Sequence, residues 1–108
     1  MKTHKEVEQF ILSMPNSRLD YPFGKEVAVY KTGDKMFALI GESADPIRLS
    51  LKCDPKLAET LREKYESVMP GYHLNKKHWN TIILGGQLSD EEIKDLILHS
   101  YQLVSKSD

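Results

Sequence analysis

Ile47-Arg48-Leu49-Ser50-Leu51-Lys52, followed at once by Cys53-Asp54-Pro55, is the stretch that decides the fold. Its first six residues alternate without a break. Ile47, Leu49 and Leu51 point one way and Arg48, Ser50 and Lys52 the other, which predicts a strand with one covered face and one at least partly in water. Asp54 and Pro55 then start a helix, the carboxylate as cap and the proline at the first helical position, where no N–H is missed. Leu57, Leu61, Tyr65 and Val68 continue as its buried stripe, and Met69-Pro70-Gly71 is expected to end it.

Upstream, Glu26 to Lys31 and Lys35 to Ile40 read as two strands around Thr32-Gly33-Asp34, a tight hairpin in which Gly33 can take positive φ. The stretch from Asn16 to Lys25, with Tyr21-Pro22-Phe23-Gly24, reads as an ordered loop with aromatic anchors. Before it, Thr3-His4-Lys5-Glu6 is a capping box, and Val7, Phe10, Ile11 and Met14 follow at helical spacing. Downstream, the segment from Tyr72 to Lys77 is polar and compatible with a short strand and turn. Trp79 to Leu84 is a strand closed by Gly85-Gly86. Ser89 to Glu92 is a second capping box, and Ile93, Leu96, Ile97, Tyr101 and Val104 carry the last helix. The expected fold is a single α+β domain over 1–108, α-β(3)-α-β(2)-α, with an antiparallel sheet and all helices on one face in a two-layer sandwich.

Composition agrees with one ordinary globular domain. The chain has 108 residues, 40% hydrophobic and 29% charged. Cys53 is the only cysteine, so no internal disulfide forms, which suits a reducing compartment. Met1 to Glu6 has no apolar signal core and no apolar run approaches bilayer length, so a cytoplasmic location is expected and membrane partners are not. Fifteen Lys and Arg against sixteen Asp and Glu make the chain slightly acidic. A nucleic-acid surface would therefore have to arise from the distribution of charge and not from its sum.

The motifs that carry common chemistries are absent: no phosphate-binding glycine loop, no helical His-Glu-x-x-His and no cysteine pair at zinc spacing. His73, His78 and Cys53 come nearest to a metal set, but histidines five apart do not share a helical face, so neither metal nor cofactor is expected. Cys53 precedes a helix N-terminus, which favours a thiolate, while Asp54 beside it opposes one. A small cysteine closing a strand is the simpler reading. On these grounds the chain reads as non-enzymatic.

Two surfaces remain. In His73-Leu74-Asn75-Lys76-Lys77-His78-Trp79, histidines, amide and ammonium groups offer donors to phosphate oxygens and the indole offers a stacking face. The same residues also read as structural, with Trp79 in the core, Asn75 and His73 bonding a turn, and both lysines solvated. The second surface is the wet side of the third strand, where Arg48, Ser50 and Lys52 recur about 6–7 Å apart.

Tyr21-Pro22-Phe23-Gly24, Val29-Tyr30-Lys31, Lys35 to Ala38, Leu49 to Pro55 and, above all, Pro70-Gly71-Tyr72-His73-Leu74-Asn75-Lys76-Lys77-His78-Trp79-Asn80-Thr81 resemble successive blocks of the MmcQ/YjbR family. The resemblance implies a type III secretion chaperone-like fold in the order read above, and a DNA-binding role with a double-wing arrangement of hairpins. Carried onto this chain, it places the site on His73, Asn75, Lys76, His78 and Trp79. Arg48, Lys52 and Lys77, with Lys31 and Lys35 at the hairpin, would add backbone contacts. The alternative is a small protein-interaction module that pairs with a protein or with itself through an apolar patch around Tyr30, Phe37 and Leu39. A ligand-binding reading requires a cleft near His73 and His78.

Overall fold

The Thr3 hydroxyl accepts the Glu6 N–H at 3.1 Å and starts α1, His4–Leu12, which buries Val7 and Ile11. The computed structural model describes residues 3–42, 45–71 and 74–105. After α1 the chain turns through Asn16, a residue that tolerates its left-handed φ of 62°.

It then forms a strand where a loop is expected. β1, Ser17–Asp20, pairs antiparallel with β2, Val27–Thr32. β1 shows no apolar alternation because its residues are exposed or half-buried, so only the ladder to β2 reveals it. Nor are the aromatic residues that follow anchors. Phe23 is 64% exposed, and Tyr21 is exposed with its hydroxyl donating to Glu42 at 3.0 Å.

Gly33, at φ 61°, turns β2 into β3, Lys35–Gly41. The ladder slips between Tyr30 and Lys31: Tyr30 faces Ala38 and Lys31 faces Met36, so Phe37 is the extra residue of a bulge. Phe37 packs edge-on against Tyr101 at 5.4 Å. The Tyr30 hydroxyl donates to Glu8 at 2.6 Å, joining β2 to α1.

β4, Arg48–Lys52, leads to Asp54, whose carboxylate accepts the N–H groups of Lys56 and Leu57 at 3.1 Å each. The helix it caps, α2, is Pro55–Lys64. It stops a turn earlier than the apolar spacing predicts, with Tyr65 already extended, and Val68–Pro70 is a strand, β5. Val68 pairs with Ile82 across the sheet, and Pro70 sits at an edge, where a missing N–H costs little. Ala58 is the buried residue of α2, whereas Leu57 is exposed.

β6, Trp79–Ile83, completes an antiparallel sheet in the order β1-β2-β3-β4-β6-β5. α3, Asp90–Ser105, packs on β3, β4 and β2, and α1 and α2 share its face of the sheet. The expected α+β sandwich therefore stands, with β1 added at its front edge.

At the start of α3 the capping box closes in both directions, Glu92 N–H to the Ser89 hydroxyl at 3.1 Å and Ser89 N–H to the Glu92 carboxylate at 3.0 Å. The Ser89 N–H, and after it the Tyr65 and Ser89 hydroxyls, hold the Glu92 carboxyl below its ordinary range. A depressed folded pKa contributes stability that is present above the unfolded value and lost as pH falls through the folded one. Glu92→Gln is accordingly expected to flatten the acid limb of a stability profile, read as urea midpoint against pH from neutral down to about 3.

Candidate nucleic-acid interface

Opposite the helices, Arg48, Ser50 and Lys52 of β4 alternate with the buried Leu49 and Leu51. Their neighbours in register on β6 are Ile83, Thr81 and Trp79. The Ser50 and Thr81 hydroxyls lie 2.8 Å apart, a cross-strand bond on this face. Further along it, Val29, Leu39 and Trp79 form a second small apolar cluster with Val27, Met36 and Leu74 against them. The face is therefore wet only in part.

Trp79 is 8% exposed, so its indole offers little ring to stack a base on. It packs, but into this second cluster and not into the helix-side core. Nor is the apolar patch expected around Tyr30, Phe37 and Leu39 an exposed one. Tyr30 and Phe37 are fully buried on the helix side, and Leu39 is buried in the second cluster. The bulge is the physical reason for Phe37, sending that ring to the face occupied by Tyr101, while Tyr30 pairs with Ala38 and so points away from the face of Leu39.

The turn before β6 is built by Asn75. Its side chain accepts the Lys77 N–H at 2.9 Å and its carbonyl accepts the His78 N–H at 3.2 Å. The His78 carbonyl accepts the Cys53 N–H at 2.8 Å, and Arg62 of α2 donates to the Lys76 carbonyl at 2.9 Å. Asn75 thus shapes the loop, while Arg62 ties the loop to α2. Nothing in its local pattern marks that role, because the partner is a backbone oxygen fourteen residues away. His73 lies outside the described residues.

Arg48, Lys76 and Lys77 are exposed and Lys52 is half-exposed, and none of the four has a carboxylate partner among the described residues. Lys31, by contrast, lies 3.3 Å from Asp20. The distribution of acids explains the difference. Residues 46–53 and 67–89 contain no Asp or Glu at all, and these segments hold β4, β5, β6 and the turn between the last two. The acids of the helices, Glu6, Glu8, Glu59, Glu63, Asp90, Glu91, Glu92 and Asp95, belong to the other layer.

Cys53 is buried, and that burial, reinforced by Asp54 and opposed by Arg62, pushes its thiol up to about 11. The raised value leaves little thiolate near neutrality. Alkylation of the native protein by iodoacetamide at pH 8 is expected to run roughly a hundredfold slower than that of the unfolded chain and to accelerate only towards pH 11. The recess between Cys53, Leu51, Leu61, Asn80, Ile82 and Leu96 has about 10 Å3 open, room for one water at most. Among the described residues no group of three His, Cys, Asp or Glu is arranged to hold a metal, and no helix is long and apolar enough to cross a membrane.

The sequence profile of the YjbR family matches residues 12–103. The chain belongs to the YjbR family. Among family relatives, the uncharacterised protein YbdF of Escherichia coli O157:H7 is 38% identical over 94% of this chain and 83% of its own length. YjbR of Escherichia coli K12 is 36% identical over 93% of this chain and 85% of its own. The crystal structure of the Deinococcus radiodurans protein DR2400, a DUF419 domain, superposes with a TM-score of 0.94 at 41% identity, over 99% of this chain and 81% of that one. A Pseudomonas syringae protein follows at 0.79 and 31% identity, over 94% and 97%. Within this YjbR-family domain, residues 74–78 form a turn held by Asn75 and Arg62 that leads into Trp79.

Proposed function

We propose that this YjbR-family chain is a cytoplasmic, non-enzymatic protein that binds DNA through its phosphate backbone. The observation that supports the reading is the acid-free block of three adjacent strands and the turn before β6, with Arg48 and Lys52 on β4 and Lys76 and Lys77 in the turn, none with a carboxylate partner among the described residues. On a chain of net charge −1, such segregation produces a local positive field that the average conceals. His78 adds a donor beside Lys77, and the Ser50 and Thr81 hydroxyls lie between Arg48 and Lys52 on the same face. Buried Trp79 and turn-bound Asn75 argue for contacts to phosphate in preference to base edges. A single cysteine, which allows no internal disulfide, suits a reducing cytoplasm.

Four phosphate contacts predict a log–log salt dependence with slope of about −4 for duplex DNA. Fluorescence anisotropy of a labelled duplex between about 20 and 200 mM salt measures it. Reversing two of the four contacts with Lys76→Glu and Lys77→Glu is expected to weaken binding by roughly ten- to thirtyfold and to reduce the slope by about two. No binding at the lowest salt, or a slope near zero, refutes the proposal.

A further inference from the structure

The sheet ends on two unlike edges. β5 is guarded: it is three residues long, Pro70 offers no N–H, and the Ser67 N–H beside it already donates to Gln87 at 3.3 Å. β1 is short as well, and the Tyr21 N–H beside it donates to the Asp20 carboxylate at 2.8 Å, but it carries no proline. It is the four-residue strand Ser17-Arg18-Leu19-Asp20, paired on one side only, with β2. Of the six exposed large apolar side chains among the described residues, Leu12, Leu19, Tyr21 and Phe23 fall in the single segment 12–23 that contains β1. The conspicuous Tyr21-Pro22-Phe23-Gly24 block is part of it, and the DNA-binding reading gives that block no role.

The geometry points to a second copy of this chain as the occupant of the β1 edge, the two β1 strands pairing antiparallel about a two-fold axis at Leu19. Charge complementarity selects both the partner and the register. In that register Arg18 of each strand stands opposite Asp20 of the other, and Leu19 stands opposite its own copy. Both charged residues lie on the same face of the sheet, since they pair with Lys31 and Val29 two positions apart. Directly opposed side chains in such a ladder are about 5 Å apart. Centring the pair on Arg18 or on Asp20 instead would oppose identical charges, so the Leu19 register is the attractive one of the three.

Arg18 contacts Asp34 and the Gly33 carbonyl, and Asp20 contacts Lys31, yet their side chains remain 51% and 48% exposed. Both stay available to a neighbour. A two-fold axis makes the contact isologous and closed, two six-stranded sheets joining into one. A ladder this short is a small interface, so the dimer is weak and forms between roughly 10 µM and 1 mM.

Sedimentation equilibrium tests it in three samples. The wild-type chain is expected to pass from monomer to dimer over that range. Arg18→Asp and Asp20→Arg each place like charges opposite one another and are expected to weaken self-association by about tenfold or more. Mixed together, the two variants bring opposite charges back into register at both positions, and a mixed dimer of wild-type strength is expected. A wild-type chain monomeric at 1 mM, variants that associate as the wild type does, or a mixture no tighter than its components overturns the inference. Circular dichroism checks that each variant is folded. Should one fail, Leu19→Cys decides: mild oxidation is expected to give a covalent dimer, with native Cys53 too buried to compete. Its absence overturns the inference equally.

Discussion

Ser100→Ala is expected to lower the stability of the fold by about 2–4 kcal/mol. Ser100 lies fully buried on α3, on the side that faces the sheet. The β3–β4 ladder ends at the pair Ala38 and Leu51. Beyond it the Ser100 hydroxyl accepts the Lys52 N–H at 3.0 Å and donates to the Phe37 carbonyl at 2.5 Å. One side chain thus satisfies a donor and an acceptor that the bulge at Phe37 leaves without a strand partner. Alanine removes both bonds and keeps the packing, so two interior backbone groups are orphaned at about 1–3 kcal/mol each.

Set against a total of about 5–15 kcal/mol, that loss is large. It corresponds to a fall in melting temperature of roughly 10–20 °C, and to a lower urea midpoint with unchanged slope. Ser100→Thr separates the effects of bond and space, because it keeps the hydroxyl and adds a methyl group where nothing is exposed. A loss below about 0.5 kcal/mol for the alanine variant would show that both backbone groups find other partners.

The second large effect is expected at Gly71. A Cβ there would meet the Trp79 Cβ at 2.7 Å and the Leu74 Cβ at 3.3 Å. The Trp79 atom is next to the backbone and cannot swing aside. Gly71→Ala must therefore push the end of β5 away from β6, stretching the 2.9 Å bond from the Gly71 N–H to the Trp79 carbonyl. About 1–3 kcal/mol of destabilisation is expected. Because Trp79 is the only tryptophan, its emission should also shift to the red as its cluster loosens. Gly86→Ala is the control: a Cβ there meets the Ser67 Cβ at 2.8 Å, near the opposite end of β6, and is expected to destabilise without moving the emission. Equal emission in all three proteins would mean that Gly71 does not set the position of Trp79.

Where local pattern and local chemistry coincide, the reading from sequence was sufficient. Asp54 and Ser89 cap α2 and α3 as their side chains require, Gly33 makes the hairpin, and the alternation from Arg48 to Lys52 gives β4 its two faces. Each depends on residues within four positions of one another. The placement of the candidate residues was legible in outline for the same reason: Arg48 and Lys52 fall on one side of a strand by alternation, and Lys76 and Lys77 stand in a polar turn.

The failures all involve partners distant in the chain. β1 is a strand because β2 runs beside it, and its own residues carry no signal. The segment Val68–Pro70 leaves the helix because Ile82 and Asn80 supply a ladder. Phe37 leaves the face of Leu39 because of one extra residue in β3, which reverses where its side chain points, whereas Tyr30 faces the helices by plain alternation with Val29. Arg62 matters through a carbonyl fourteen residues away, and Ser100 through two backbone groups more than forty-five away.

By itself, then, the order of residues determined the α+β class, the helix starts, the main hairpin and the absence of acids from residues 46–53 and 67–89, since capping, turn geometry and charge are properties of neighbours. Only the tertiary structure decided the strand count, the burial of Trp79 and the role of Ser100. Those depend on which backbone groups and side chains meet after the chain has closed on itself, and hydrogen bonds and packing between remote segments leave no periodic trace in the sequence.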